Sequence, residues 1–275
     1  MKIKSLLLVQ VLFSFYASSQ FGVEKDITHS TLGVSSVVSL DIDNDGDIDI
    51  VSAAFQSDEI MLSENFGNST FLPAGRHLIS SSVDGPVSIN YADLDNDGDM
   101  DLVSASSNDN KIAYYENLGS CNFGPQQILN TSISNLYELH LADLDGNGFS
   151  DIVISSLGFV KVILNQGSFS FTSPTNLFTT SSSLSAELHL ADIDGDSDLD
   201  IIYGFGNDTN LNKVMNQGGM TFSASQLVSN QAYPTRHIQS FDIDNDSDLD
   251  LFVACGDGIK QFLNAGSGIF SAQQL

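Results

Sequence analysis

One nine-residue pattern recurs five times and constrains the fold more tightly than any other feature of the chain. It reads DIDNDGDID at 41–49, DLDNDGDMD at 93–101, DLDGNGFSD at 143–151, DIDGDSDLD at 192–200 and DIDNDSDLD at 242–250. The starts lie 52, 50, 49 and 50 residues apart. A second marker keeps the same spacing: Asn65-Phe-Gly67, Asn117-Leu-Gly119, Asn165-Gln-Gly167, Asn216-Gln-Gly218 and Asn264-Ala-Gly266. Each is followed within a few residues by Phe71, Phe123, Phe171, Phe222 or Phe270. Two independent markers with one period define a repeat, and a period near 50 built of short apolar runs marks a propeller or solenoid array.

Each unit predicts four short strands. An alternating segment such as Leu136–Ala142 precedes the acidic stretch, and an apolar run such as Ile152–Ile154 follows it. A third run, such as Lys111–Tyr115, ends at the Asn-x-Gly turn, and a fourth starts at the Phe. Four strands joined by Gly, Asn, Asp and Ser turns fit within 50 residues, and no segment sustains a helical period. Four strands per unit is one blade, so the expected fold is an all-β propeller with five visible repeats. A β-sandwich would not repeat at this period, and the rungs of a β-helix are shorter.

The acid is concentrated in these loops. The chain carries 35 Asp and Glu against 9 Lys and Arg, a net charge of −26, and 23 of the acids fall in the five segments. Such a balance excludes phosphate-dominated nucleic-acid binding and electrostatic docking on anionic lipid. Asp at positions 1, 3, 5 and 9 of a tight loop converges on one point, and hard oxygen donors in that number suit Ca²⁺, about five sites in all. The side-chain ligands expected are Asp41, Asp43, Asp45 and Asp49; Asp93, Asp95, Asp97 and Asp101; Asp143, Asp145, Asn147 and Asp151; Asp192, Asp194, Asp196 and Asp200; Asp242, Asp244, Asp246 and Asp250. The position-7 carbonyls of Asp47, Asp99, Phe149, Asp198 and Asp248 complete the sets. Loop three has one carboxylate fewer and is expected to be the weakest site. Position 6 calls for positive φ, which Gly46, Gly98 and Gly148 supply and Ser197 and Ser247 supply at a cost. Position 12 holds no Glu and strands flank the loops, so the sites are not EF-hands.

Asp-x-Asp-x-Asp-Gly-x-x-Asp on a ~50-residue β unit resembles the FG-GAP/VCBS repeat family, similar to the head of integrin alpha subunits. The resemblance covers about residues 21–275 and implies a propeller whose acidic loop joins the innermost strand to the second, with chiefly structural calcium. It further implies an adhesion, ligand-binding or scaffolding role, in proteins that are often secreted or surface-displayed. Seven blades are usual in that family. Five repeats here, with fourth-strand-like runs at both Phe21–Ile27 and Phe270–Leu275, lead to the expectation of a fragment of a larger ring with exposed edges rather than a closed five-blade one.

Residues 1–19 read as a signal peptide: Lys2 and Lys4, an apolar run from Leu6 to Tyr16, and small Ala17 and Ser19 before a cleavage at Gln20. The apolar run is too short to span a membrane. The mature chain from 20 to 275 is thus expected to be secreted or on the cell surface. Cys121 and Cys255 fall at non-equivalent repeat positions, so no bridge is expected, and Cys255 reads as a small buried apolar residue. On the inner strand, period two puts Ser36, Ser88, Glu138, Glu187 and His237 on one face with Val38, Asn90, His140, His189 and Gln239. The paired Glu-x-His raises the idea of a transition-metal or small-ligand site there, against plain hydrogen bonding. No nucleophile elbow, His-Glu-x-x-His or phosphate-binding glycine loop occurs. The reading is therefore a calcium-binding module for a protein or glycan ligand. The alternative is the scaffold of a secreted carbohydrate-active lyase or hydrolase.

Overall fold

A computed structural model describes residues 26–27, 31–179, 185–206, 208–230 and 234–273. The expected leader over 1–19, its cleavage point and most of the run Phe21–Ile27 lie outside these residues. Each repeat forms one antiparallel four-stranded sheet with its strands in chain order. Blade one holds β1 (Val34–Leu40), β2 (Asp49–Ala54), β3 (Glu59–Asn65) and β4 (Phe71–Ser80). Blade two holds β5 (Pro86–Ala92), β6 (Asp101–Ser106), β7 (Lys111–Tyr115) and β8 (Gln127–Asn130). Blade three holds β9 (Leu136–Ala142), β10 (Asp151–Ser156), β11 (Phe159–Ile163) and β12 (Thr175–Thr179). Blade four holds β13 (Ala186–Ala191), β14 (Asp200–Phe205), β15 (Leu211–Val214) and β16 (Gln226–Ser229). Blade five holds β17 (Thr235–Phe241), β18 (Asp250–Cys255), β19 (Gly258–Asn264) and β20 (Phe270–Gln273). Among the described residues no helix is long and apolar enough to cross a membrane.

The apolar runs after the acidic loops become the second strands. Every residue of β6, β10 and β14 is buried, because a neighbouring blade covers each face. The first strands β1, β5, β9, β13 and β17 pack on one another in that order and line the inner side. Each acidic loop therefore joins the innermost strand to the second. The Phe-led fourth strand is only partly as expected. Phe71 and Phe270 open β4 and β20, whereas Phe123, Phe171 and Phe222 make single bridges to Asn117, Asn165 and Asn216. There the fourth strand starts four residues later. In two of the three gaps a proline, Pro125 or Pro174, has no N–H to give the ladder.

Apolar packing falls into four clusters, each shared by two consecutive blades. No comparable packing joins β17 back to β1 among the described residues, so the blades form an open arc. The end faces show it. Val37 is 54% exposed, while its counterparts Ile89, Leu139, Leu188 and Ile238 are 2% or less. Ile243 is 40% exposed, while Ile42, Leu94, Leu144 and Ile193 are likewise 2% or less. Cys255 is half-buried rather than buried: it packs on the apolar cluster that blades four and five share, and that cluster leaves it partly open to solvent.

Candidate functional site

The acidic loops hold their shape through their own carboxylates. Asp41 Oδ1 accepts the N–H of Asp45 (3.1 Å) and Oδ2 that of Gly46 (2.9 Å), and position 1 does the same in all five loops. The position-5 side chain accepts the position-7 N–H, with Asn147 Oδ1 taking the role in loop three. Position 6 has φ of 94°, 99° and 88° at Gly46, Gly98 and Gly148, and 76° and 78° at Ser197 and Ser247. A Cβ at the three glycines would meet nothing within 4 Å, so the serines pay only in backbone strain. Ser197→Gly and Ser247→Gly are each expected to raise stability by about 0.5–1 kcal/mol in urea unfolding, the relief of left-handed strain minus the entropy of a freer unfolded chain. Position 4 is also left-handed (Asn44, Asn96, Gly146, Gly195, Asn245). Its Asn/Gly alternation was the readable sign of this.

Oxygen atoms of Asp93, Asp95 and Asp101, of Asp143, Asp145 and Asp151, and of Asp41, Asp43 and Asp45 lie within 4.8 Å of one another. The donor set is all oxygen, which suits a hard cation. In loop four Asp194 Oδ1 is buried without a hydrogen-bond partner, an oxygen for which the protein supplies no donor. Position 9 has a second task. Asp49, Asp101, Asp151, Asp200 and Asp250 are fully buried. In each, Oδ2 accepts the N–H of loop position 2 at 3.0–3.1 Å. Each Oδ1 accepts the N–H of the following Asn-x-Gly asparagine at 2.7–2.8 Å. Burial, partly offset by these two donors, pushes Asp101, Asp151 and Asp200 up to about 6.

The asparagine is more than a turn residue. Its Oδ1 accepts the N–H of the glycine two residues on, at 2.9–3.2 Å. Its Nδ2 donates to the loop of the preceding blade: Asn117 to Ile42 O, Asn165 to Leu94 O, Asn216 to Leu144 O and Asn264 to Ile193 O, at 2.8–3.0 Å. Each staple therefore ties one acidic loop to the next blade. Asn65, on the open face of blade one, donates to Ile48 O of its own loop. The marker in the sequence was the invariable Asn, where Gly or Asp would serve an ordinary turn.

The Glu-x-His residues of the inner strands lie near one another and make hydrogen-bonding contacts. Side chains five before the loop cap the next blade in three of the blades: Ser36 accepts from Ile89 N–H, Ser88 from Leu139 N–H and Glu138 from Leu188 N–H, at 3.1–3.2 Å. Glu187 meets His237 at 3.2 Å, and His189 Nε2 meets Ser240 Oγ at 2.9 Å. His140 Nε2 lies 3.1 Å from Glu138 Oε1, outside hydrogen-bond geometry. Burial, then His140 and His237, lowers His189 to about 4, so its ring is neutral at pH 7. Burial and the nearby Glu138 raise Glu187.

A feature the alternation hid lies at the far end of these strands. Register breaks between Val34 and Ser36, Pro86 and Ser88, Leu136 and Glu138, and Thr235 and His237 mark β-bulges. The extra residues are Ser35, Val87, Tyr137 and Arg236. Strict alternation would turn them off the inner face; the bulges bring them to a cavity at the rim away from the acidic loops. It has two adjoining lobes of about 560 and 330 Å³, sharing Tyr137 and Glu187. Ser107, Asn135 and Arg236 line the larger lobe, and Ser36 and Ser88 the smaller.

The profile of the FG-GAP-like repeat matches the chain four times, over residues 41–104, 93–154, 143–203 and 192–253. No curated protein matches it by sequence. Among solved structures, an Agrocybe aegerita lectin that recognises non-reducing terminal N-acetylglucosamine superposes with a TM-score of 0.67. Identity is 23%, over 89% of this chain and 67% of the lectin chain. BBS1N, solved in complex with ARL6DN, gives a TM-score of 0.52 at 13% identity, over 91% of this chain and 83% of its own. Both likenesses concern the fold.

Proposed function

Because the chain belongs to the FG-GAP-like repeat family, with the repeat running through most of its length, we propose that it is an exported, calcium-stabilised binding module. Calcium is held by positions 1, 3, 5 and 9 of each loop with the position-7 carbonyl. The ion neutralises the clustered carboxylates and rigidifies one rim. Asn147, a neutral donor in place of a carboxylate, makes loop three the weakest of the five. Export rests on the leader-like residues 1–19, and N-terminal sequencing of the secreted protein tests it, with Gln20 expected first.

The opposite rim carries recognition. The observation that supports this is the set of bulges, which spend ladder bonds to turn Tyr137 and Arg236 into the cavity beside Glu187. A phenol, a guanidinium, a carboxylate, an amide and hydroxyls suit a hydroxyl-rich ligand, so a glycan is our first reading and a protein loop the second. A glycan array followed by titration tests it. Tyr137→Ala and Glu187→Gln are each expected to weaken the best ligand about tenfold or more, the loss of a stacking face or of a hydrogen bond to a charged group. Unchanged affinity in both variants would remove the cavity from consideration.

A further inference from the structure

We propose that Glu64, His77 and Cys121 form a zinc site between blades one and two, adjoining the first acidic loop. Glu64 is on β3 and His77 on β4, while Cys121 comes from the Asn-x-Gly turn of the next blade. One donor atom from each lies within 4.8 Å of the other two. His77 Nε2 is 3.1 Å from Glu64 Oε2. A tetrahedral zinc with bonds of about 2.0–2.3 Å holds its donors roughly 3.3–3.8 Å apart, so small side-chain adjustments close the set. Asp43 Oδ2, 3.4 Å from the Cys121 sulfur, is placed to be a fourth donor, while Asp43 Oδ1 faces the loop and accepts the Asp45 N–H.

The donors stand where the repeat otherwise puts packing atoms. The counterparts of Cys121 are Ser69, Phe169, Met220 and Gly268, all at the same left-handed turn position, with φ of 56–68° across the set. At the next interface Phe169 stacks on Tyr114 with ring centroids 4.7 Å apart, and Met220 packs into the apolar cluster after that. The first interface combines a thiol with an imidazole and a carboxylate. That mixture of soft and borderline donors selects zinc over calcium or magnesium. Zinc binding displaces the Cys121 proton to solvent, and His77 coordinates through Nε2 as the neutral ring.

The test uses the full chain with its acidic loops saturated by millimolar calcium, and Co²⁺ as the optical probe for zinc. One equivalent of Co²⁺ is expected to give the intense visible bands of a tetrahedral ion and a thiolate-to-cobalt charge-transfer band, both erased by Zn²⁺. Cys121→Ser should abolish the charge-transfer band. Cys121→Ser and His77→Ala should each weaken binding by about tenfold or more, since even outer-shell partners contribute 10–100-fold. Cys255→Ser should leave the spectrum intact. If Cys121→Ser does not fold, His77→Ala and Glu64→Gln carry the affinity test. A pale octahedral spectrum, a charge-transfer band that follows Cys255, or binding seen only without calcium would each overturn the proposal.

Discussion

Stripped of divalent cations, the protein is expected to lose about 2–7 kcal/mol of stability. Extracellular calcium loops commonly bind in the ~10⁻⁴–10⁻³ M range. At roughly millimolar free calcium each such site contributes about 0.4–1.4 kcal/mol by mass action, and five loops are proposed to bind. The sum is a large share of the ~5–15 kcal/mol that holds a typical domain together. A thermal melt with and without chelator measures it, with a fall on the order of 10 °C expected for a chain of this size. A melt indifferent to chelator would dismiss structural calcium. The pH trend gives an independent check. Asp101, Asp151 and Asp200, pushed by burial from 3.8 to about 6, bind protons more tightly folded than unfolded. In chelator, stability therefore falls as pH rises from about 4 to about 6, then levels off. Bound calcium would compete with those protons, so with the ion present the fall through the same window is expected to be smaller.

The second large effect is expected from the staples. Asn165→Ala removes the donor to Leu94 O and the acceptor for Gly167 N–H, at a residue with no exposed surface. Two buried polar groups are left without partners, at about 1–3 kcal/mol each, so a loss of roughly 2–5 kcal/mol is expected in urea unfolding. Asn65→Ala is the internal comparison. Asn65 makes the same turn bond but reaches only its own loop. It should lose less, by about 1 kcal/mol. Equal losses at both positions would reduce the asparagines to turn formers.

The repeat, the four strands per blade and the place of the acidic loops were legible because each is periodic. Period two marks the first strand, the apolar run marks the doubly covered second strand, and the spacing marks the unit. Departures came where the period locally fails. The bulges at Tyr137 and Arg236 break alternation by one residue, and no local residue pattern announces them. The delayed fourth strands were foreshadowed by Pro125 and Pro174. The dual engagement of the position-9 aspartates depends on the Asn-x-Gly turn folding back over the loop, a contact 14–16 residues away in sequence. Cys255 was misjudged because its cover depends on how fully blade four packs over it, which no residue of its own strand announces.

The four shared clusters and the staples together make the described residues a chain of couplings in which each blade packs chiefly on its neighbours. Such a body behaves like a one-dimensional lattice with nearest-neighbour terms. If an ion enters one loop, it would stiffen the carbonyl that the next asparagine grips, and occupancy at one site is then expected to raise the affinity of the adjacent one. The end blades of the described arc, packed on one side only, are expected to open first, and the rim cavity, which draws on every blade's inner strand, would be spoiled by their opening.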